Sequence, residues 1–263
     1  MAPAIGVFDS GFGGLTVLRE LRARLPEANY FYFGDTAHLP YGAKSVRAVA
    51  KYAIASAHFL EQQGIELLVV ACNTATALAL DDIRAAVRVP VVGVVEPGSE
   101  RTAAVSKSKR AAVIATEATV GSHAYRRALQ GFGIEATEKA CPLFVPLIEE
   151  GWVDHPVTEQ VAHIYIDEVF RDGAHEADVL LLGCTHYPLI RPVLRRIVPE
   201  RVEIVDSAES TAACVTGMIG QLRGSGAGSL RCFATDSVEK FRRLGQKFLG
   251  CPIKNVELID IEK

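Results

Sequence analysis

Short apolar runs alternate with longer segments in which apolar residues recur every three or four positions. The runs favour strands, and the spaced segments are typical of amphipathic helices. The predicted strands are AIGVFD (4–9), NYFYFG (29–34), ELLVVA (66–71), PVVGVV (90–95), RAAVIA (110–115), DVLLLG (178–183), VEIVD (202–206), LRCFAT (230–235) and NVELID (255–260). Helices are predicted over 15–25, 45–63 and 157–172. This alternation predicts an α/β fold with mostly parallel sheets covered by helices on both faces.

Two of the apolar runs end in the same way, which suggests two similar halves. LLVVACNTATAL (67–78) and VLLLGCTHYPLI (179–190) each close with a small residue, a cysteine and two hydrogen-bonding residues. Pro97 and Gly98 are expected to interrupt the chain, and a second break is expected after IVDSAEST (204–211). We therefore predict one α/β domain from residues 1–97 plus 209–263 and a second from residues 98–208.

The composition narrows the class of protein. The 263 residues are 49% hydrophobic and 22% charged, with a formal net charge of −3, which predicts a packed soluble chain. The sequence has no basic tract of the kind that would indicate a nucleic-acid surface, and its apolar runs are too short to span a bilayer. The start, MAPAIGVFDS, lacks the basic region of a signal peptide. We expect a cytoplasmic protein that binds a small molecule, without nucleic-acid or membrane partners.

Cysteine is the most informative residue type in the chain. There are six cysteines, without a CxxC pair or a tight cluster: Cys72, Cys141, Cys184, Cys214, Cys232 and Cys251. This spacing disfavours a disulfide framework and a zinc site. Four of the six are predicted to be small core or filler residues. Cys72 and Cys184 are the exceptions, because each leads into a predicted helix N-terminus, which can lower the pKa of a thiol.

Polar residues follow several predicted strands at their carboxyl ends, where parallel sheets collect ligands. They are Asp9, Ser10, Asp35, Cys72, Asn73, Thr74, Thr116, Thr119, Ser122, Cys184, Thr185 and His186. The turn GFGG (11–14) lacks the third glycine of a dinucleotide fingerprint, although its N–H groups can hold a carboxylate. Helix capping is an alternative role for Asn73, Thr74 and Thr185. The sequence leaves open whether His186 is a helix cap or a catalyst. It also leaves open whether Asp9 holds the glycine turn or holds a proton.

Two thiols without a metal or cofactor motif suggest a particular chemistry. A Cys–His hydrolase needs one thiol, and a thiol redox enzyme needs an adjacent pair. Two opposed thiols suit proton removal from one face of a carbon and proton donation to the other. The residues therefore favour a cofactor-independent isomerase or racemase. A binding protein that holds an anion between two domains without turnover is the alternative from another class.

Four motifs in this order resemble those of the glutamate racemases: GVFDSGFGGLTV (6–17), FGDTAHLPYG (33–42), ACNTATA (71–77) and LGCTHYPL (182–189). The resemblance extends over nearly the whole chain. It implies two pseudo-symmetric, doubly wound α/β domains with the active site between them. It also implies that two bases interconvert L- and D-glutamate without a cofactor. This reaction would supply D-glutamate for peptidoglycan. Racemases of another acidic amino acid or of hydantoins are the nearer alternative.

The resemblance also implies roles for individual residues. Cys72 and Cys184 would be the two bases, with Asp9 assisting Cys72 and His186 assisting Cys184. Substrate binding is implied for Asp9, Ser10, Tyr41, Gly42, Asn73, Thr74, Thr119, Thr185 and His186. Asp35 and either Glu149 or Glu150 are expected near the site, and no metal or cofactor is expected. The oligomeric state is open between monomer and homodimer, with Trp152 as a candidate contact.

Overall fold

The central strands form where the sequence is most continuously apolar, because helices cover both faces of the sheets there. The computed structural model describes residues 2–171, 173–219 and 228–261. Within these residues the strands are β1 (Ala4–Asp9), β2 (Asn29–Gly34), β3 (Leu67–Val70), β4 (Val91–Gly93), β5 (Arg110–Ala115), β6 (Glu135–Ala140), β7 (Val179–Gly183), β8 (Glu203–Asp206), β9 (Leu230–Ala234) and β10 (Val256–Leu258). Every residue of β3 and of β7 is buried.

The helices lie between the strands, as the apolar spacing predicts. They are α1 (Leu15–Arg24), α2 (Val46–Gln62), α3 (Asn73–Ala86), α4 (Val95–Val105), α5 (Glu117–Ser122), α6 (Ala124–Gly131), α7 (Phe144–Glu149), α8 (Pro156–Arg171), α9 (Arg191–Ile197), α10 (Ser207–Ile219) and α11 (Val238–Leu249). The three helices predicted from sequence are α1, α2 and α8. No helix of the described ranges is long and apolar enough to cross a membrane.

In the part of the chain that the structure describes, the strands form two sheets, and every pairing is parallel. The first sheet has the order β10-β9-β2-β1-β3-β4, and the second has the order β6-β5-β7-β8. The predicted α/β class with mostly parallel sheets is confirmed. The segment β2-β1-β3-β4 and the second sheet share one strand order, so β3 and β7 occupy equivalent places. Cys72 follows β3 and Cys184 follows β7 at these places.

The predicted interruption at Pro97 and Gly98 is wrong. Both residues lie inside α4, where proline fits the first turn because a helix N-terminus needs no N–H donor there. The predicted boundaries at 97/98 and 208/209 both fall within helices, α4 and α10. The first sheet takes its strands from 4–93 and 230–258, and the second from 110–206, while the domain division itself stays a prediction.

One further segment differs from the sequence expectations, and another lies largely outside the described residues. Strand β6, with the sequence EATEKA, was not predicted because it carries three charged residues, which an edge strand tolerates. The stretch RGSGAGS (223–229) is predicted to be a surface turn, and its residues 223–227 lie outside the described residues.

Candidate active site

A cavity of about 360 Å³ lies where the carboxyl ends of the two sheets meet. From the first sheet it is lined by the predicted residues Ser10, Tyr41, Gly42, Cys72, Asn73 and Thr74. From the second sheet it is lined by Cys184, Thr185 and His186. The two cysteines therefore approach one space from different sheets, each at the end of an equivalent strand.

Cys72 is the N-cap residue of α3. Its Sγ accepts a hydrogen bond from the Ala75 N–H at 3.4 Å, and its thiol donates to Ser10 Oγ at 3.5 Å. Burial, and after it the charge of Asp9, raise the pKa of Cys72 to about 12, against the two hydrogen bonds. The Ala75 N–H at the helix N-terminus lowers this pKa, as expected, but desolvation outweighs it and the pKa is raised overall. Cys72 is therefore a protonated thiol at neutral pH in the free protein.

Asp9 lies behind the cavity wall at the end of β1 and is fully buried. Its Oδ2 accepts a hydrogen bond from the Gly11 N–H at 2.9 Å, so it holds the glycine turn. Its Oδ1 is buried and has no hydrogen-bond partner among the described residues. Burial raises the pKa of Asp9, against the charge of His186 and the N–H groups of the turn. Asp9 thus serves the turn and also acts on Cys72 through its charge.

His186 connects Cys184 to a carboxylate. Its Nδ1 lies 3.9 Å from Cys184 Sγ, and its Nε2 lies 3.3 Å from Glu149 Oε1. Burial lowers the pKa of His186, but the hydrogen bonds and charges of Cys184 and Glu149 outweigh it and raise the pKa to about 10. Glu149 also contacts Lys240, with Nζ 3.3 Å from Oε2. Both Glu149 and Glu150 line the cavity, and of the two Glu149 contacts His186.

Glu149 is itself adapted to this position. Burial raises the pKa of its carboxyl group, but hydrogen bonds and charges from His186 and Lys240 prevail and lower it. At neutral pH the pair is therefore an imidazolium and a carboxylate. The positive ring can stabilise negative charge that develops on the neighbouring sulfur of Cys184.

Threonine hydroxyls form one wall of the cavity. Thr74 Oγ1 lies 3.0 Å from Thr116 Oγ1 and 3.2 Å from Thr119 Oγ1. Thr116 and Thr74 line the cavity, whereas Thr119 is fully buried behind them. Thr116, which we did not predict as a binding residue, caps α5 and was recognisable from its place directly after β5.

Tyr41 is oriented by Asp35. Its Oη donates to Asp35 Oδ2 at 2.6 Å, and Thr235 Oγ1 donates to Asp35 Oδ1 at 2.9 Å. Asp35 is fully buried and does not line the cavity, so it positions a wall residue. Thr235 follows β9, far along the chain, and no sequence signal connects it to this site.

Thr185 and His186 lie against the glycine turn of the first sheet. A Cβ atom on Gly13 would lie 2.2 Å from Thr185 Oγ1 and 2.5 Å from His186 Nδ1. Thr16 Oγ1 also donates to the Thr185 carbonyl at 3.1 Å. This close approach between the two halves requires glycine at position 13.

Three further expectations concern residues around the cavity. Cys141, predicted to be a filler, is fully buried but lines the cavity, and burial raises the pKa of its thiol. Trp152 is 43% exposed and stacks on His155. Over the described ranges, no three His, Cys, Asp or Glu side chains form a group that could hold a metal ion.

Comparison with known proteins places this geometry in a family. The model of the Asp/Glu/Hydantoin racemase family matches residues 15–215. The chain is 56% identical to the glutamate racemase of Koribacter versatilis, with 98% of each chain covered. It is 46% identical to that of Geobacter metallireducens, covering 98% of this chain and 97% of the relative.

Solved structures agree with this match. The glutamate racemase of Francisella tularensis, in complex with D-glutamate, is 33% identical with a TM-score of 0.91, over 99% of this chain and 98% of that one. The Thermus thermophilus enzyme, in complex with β-chloro-D-alanine, is 42% identical with a TM-score of 0.87, over the same shares. The chain therefore belongs to the Asp/Glu/hydantoin racemase family.

Proposed function

We propose that this protein is a cofactor-independent glutamate racemase, an isomerase that interconverts L- and D-glutamate by two-base proton transfer at Cα. The observation that carries the proposal is the placement of the two thiols. Cys72 and Cys184 follow equivalent strands of two sheets with one strand order, and both line one cavity. Two acid–base groups that approach from different sheets suit a reaction at the two faces of one carbon.

In the proposed reaction, one cysteine as thiolate removes the Cα proton while the other as thiol donates a proton to the opposite face. The His186 imidazolium next to Cys184 suits the thiolate role, and the raised pKa of Cys72 suits the thiol role. After one turnover the two roles are exchanged. The reverse direction needs the Cys72 thiolate, which burial disfavours most and the charge of Asp9 next, so Asp9 would assist by accepting the Cys72 proton rather than through its charge.

The cavity supports binding of an anionic amino acid through N–H and O–H donors. Asn73 and Thr74 begin α3, so their backbone N–H groups have no acceptor within the helix and can hold a carboxylate. Hydroxyls of Ser10, Thr74 and Thr116 add further donors. Among the described residues no lysine or arginine lines the cavity. Such aligned donors can stabilise the charge that develops when the Cα proton leaves.

Isotope exchange in deuterated water tests the proposal. The purified protein is incubated separately with L-glutamate, L-aspartate and a hydantoin, and optical rotation and Cα deuterium are followed. We expect L-glutamate to exchange and to reach equal amounts of both enantiomers, before and after dialysis against a chelator. Turnover of aspartate or the hydantoin alone would show that glutamate is not the substrate. Binding of glutamate without exchange would favour the non-catalytic alternative.

The cellular role follows from the product. We infer that the enzyme works in the cytoplasm and supplies D-glutamate for peptidoglycan, so a strain without it should need added D-glutamate to grow. A homodimer remains a prediction, which sedimentation of the purified protein tests. Substitution of the half-exposed Trp152 by serine would then show whether this side chain belongs to the contact.

A further inference from the structure

The two ends of the Asn73 side chain are in different situations. Its Nδ2 donates to Tyr125 Oη at 2.7 Å and lies 3.2 Å from Ser207 Oγ. Its Oδ1 is buried and has no hydrogen-bond partner among the described residues. Asn73 is 2% exposed and lines the cavity. Because buried polar atoms are rarely left unpaired, this oxygen indicates a place for a donor from a ligand.

Both partners of Nδ2 are buried, and both lie in the part of the chain that carries or directly follows the second sheet. Tyr125 belongs to α6 and is fully buried, and Ser207 begins α10. The Tyr125 ring packs closely on Gly183, next to Cys184, since a Cβ there would lie 2.9 Å from its Cε2. Neither Tyr125 nor Ser207 lines the cavity. They therefore contact Asn73 and not the substrate.

We propose that Tyr125 is a positioning residue of this site, which together with Ser207 orients the Asn73 amide so that Oδ1 faces the ammonium group of the substrate. An ammonium group only donates hydrogen bonds and a carboxylate only accepts them. An amide oxygen therefore attracts the first and repels the second. This inference rests on the proposed function, because it takes an α-amino acid as the ligand.

The substitution Tyr125→Phe tests this orientation directly. It keeps the ring against Gly183 but removes the oxygen that Nδ2 contacts, so the amide can turn. Calorimetry compares the affinity for D-glutamate with that for glutarate, a dicarboxylate of the same length without an amino group. We expect D-glutamate to bind about tenfold more weakly, the size of one hydrogen bond to a charged group. The affinity for glutarate should stay the same or rise.

Tyr30→Phe is the matched control. Tyr30 is also buried, and its phenol donates to the Leu25 carbonyl at 2.9 Å, away from the cavity. This variant should bind both ligands as the parent protein does. If Tyr125→Phe is unfolded by circular dichroism, Ser207→Ala removes the other partner and is compared in the same way.

The outcomes separate the inference from the proposed function. An equal loss of affinity for D-glutamate and for glutarate would show that Tyr125 only maintains the structure, and it would overturn the inference. Unchanged affinity for D-glutamate would overturn it as well. Loss confined to D-glutamate supports it, together with a rise in KM that exceeds the fall in kcat. If the parent protein bound D-glutamate without racemising it, the proposed function would fail while this comparison remained valid.

Discussion

His186 and Glu149 form a hydrogen bond in which Nε2 and Oε1 lie 3.3 Å apart, with side chains 9% and 15% exposed. The other ring nitrogen faces Cys184. Glu149 therefore controls the charge beside a proposed catalytic thiol from the end of α7, a helix that contributes no reacting group.

The dependence of stability on pH should reveal this pair. Because the pKa of His186 rises from 6.5 to about 10 on folding, its contribution to the free energy of unfolding is complete below pH 6.5 and is lost as pH rises through about 10. The pKa of Glu149 is lowered from 4.5, so its contribution is present above pH 4.5 and is lost below it. Glu149→Gln should therefore lower the free energy of unfolding most between pH 4.5 and pH 6.5.

Denaturant titration at a series of pH values measures this effect. The difference between the parent protein and Glu149→Gln should decline from pH 6.5 towards 10. Glu150→Gln, at the neighbouring position, should show no such trend. A difference that stayed constant with pH would mean that the His186–Glu149 pair is not formed in solution.

Gly13→Ala should damage the site without unfolding the protein. The new methyl group would displace Thr185 Oγ1 or His186 Nδ1, which lie 2.2 Å and 2.5 Å from the Cβ position. A displacement of about 1 Å can cost about 100-fold in rate, so we expect kcat/KM to fall by that order. Gly121→Ala is the control, because a Cβ in that part of α5 meets nothing within 4 Å. Equal activity of the two variants would contradict the close approach.

Asp9→Asn should reduce kcat more than it raises KM. Asparagine can still accept the Gly11 hydrogen bond, so the turn survives, but an amide cannot take up a proton from Cys72 as a carboxylate can. We expect turnover to fall by about tenfold or more, at the low end of general acid–base effects. Because the Asp9 charge raises the pKa of Cys72, alkylation of this thiol should begin at lower pH in the variant. A change in KM alone would mean that Asp9 only holds the turn and takes no part in proton transfer.

The sequence was most informative where an apolar run meets a polar residue. Buried parallel strands must be continuous apolar runs, and their carboxyl ends must share an edge, so Cys72 and Cys184 could be placed at the edge that bears the cavity. Strand β6 was missed because its charged residues hide the period of an edge strand. The similar sequence pattern of the two cysteine segments corresponds to the shared strand order of the two sheets.

Contacts between distant segments could not be predicted in the same way. The choice between Glu149 and Glu150 depends on how the last turn of α7 is rotated, and neighbouring glutamates look alike in sequence. Tyr125 and Lys240 reach the site through tertiary packing of α6 and α11, which leaves no local pattern. The raised pKa of Cys72 depends on burial, whereas its position at a helix N-terminus alone suggested the opposite direction.

The two cysteines provide the most direct test of the mechanism. Serine keeps most of the shape of cysteine, but its hydroxyl is a far weaker acid and cannot act as a thiolate does. Loss of a positioned acid or base costs about 10²–10⁴-fold in rate. Cys72→Ser and Cys184→Ser should each lose most racemisation in both directions, because every turnover needs one acid and one base.

The residual reactions of the two variants should be complementary. Each keeps one thiol on one face of the substrate, so each should still exchange or eliminate a proton from one enantiomer of a suitable glutamate analogue, and the other variant should prefer the opposite enantiomer. Cys214→Ser and Cys232→Ser are controls, since neither residue lines the cavity and Cys232 is buried in β9. They should alter stability at most. If both active-site variants lost the same enantiomer equally, or if either racemised at the parent rate, the two-base mechanism would be wrong.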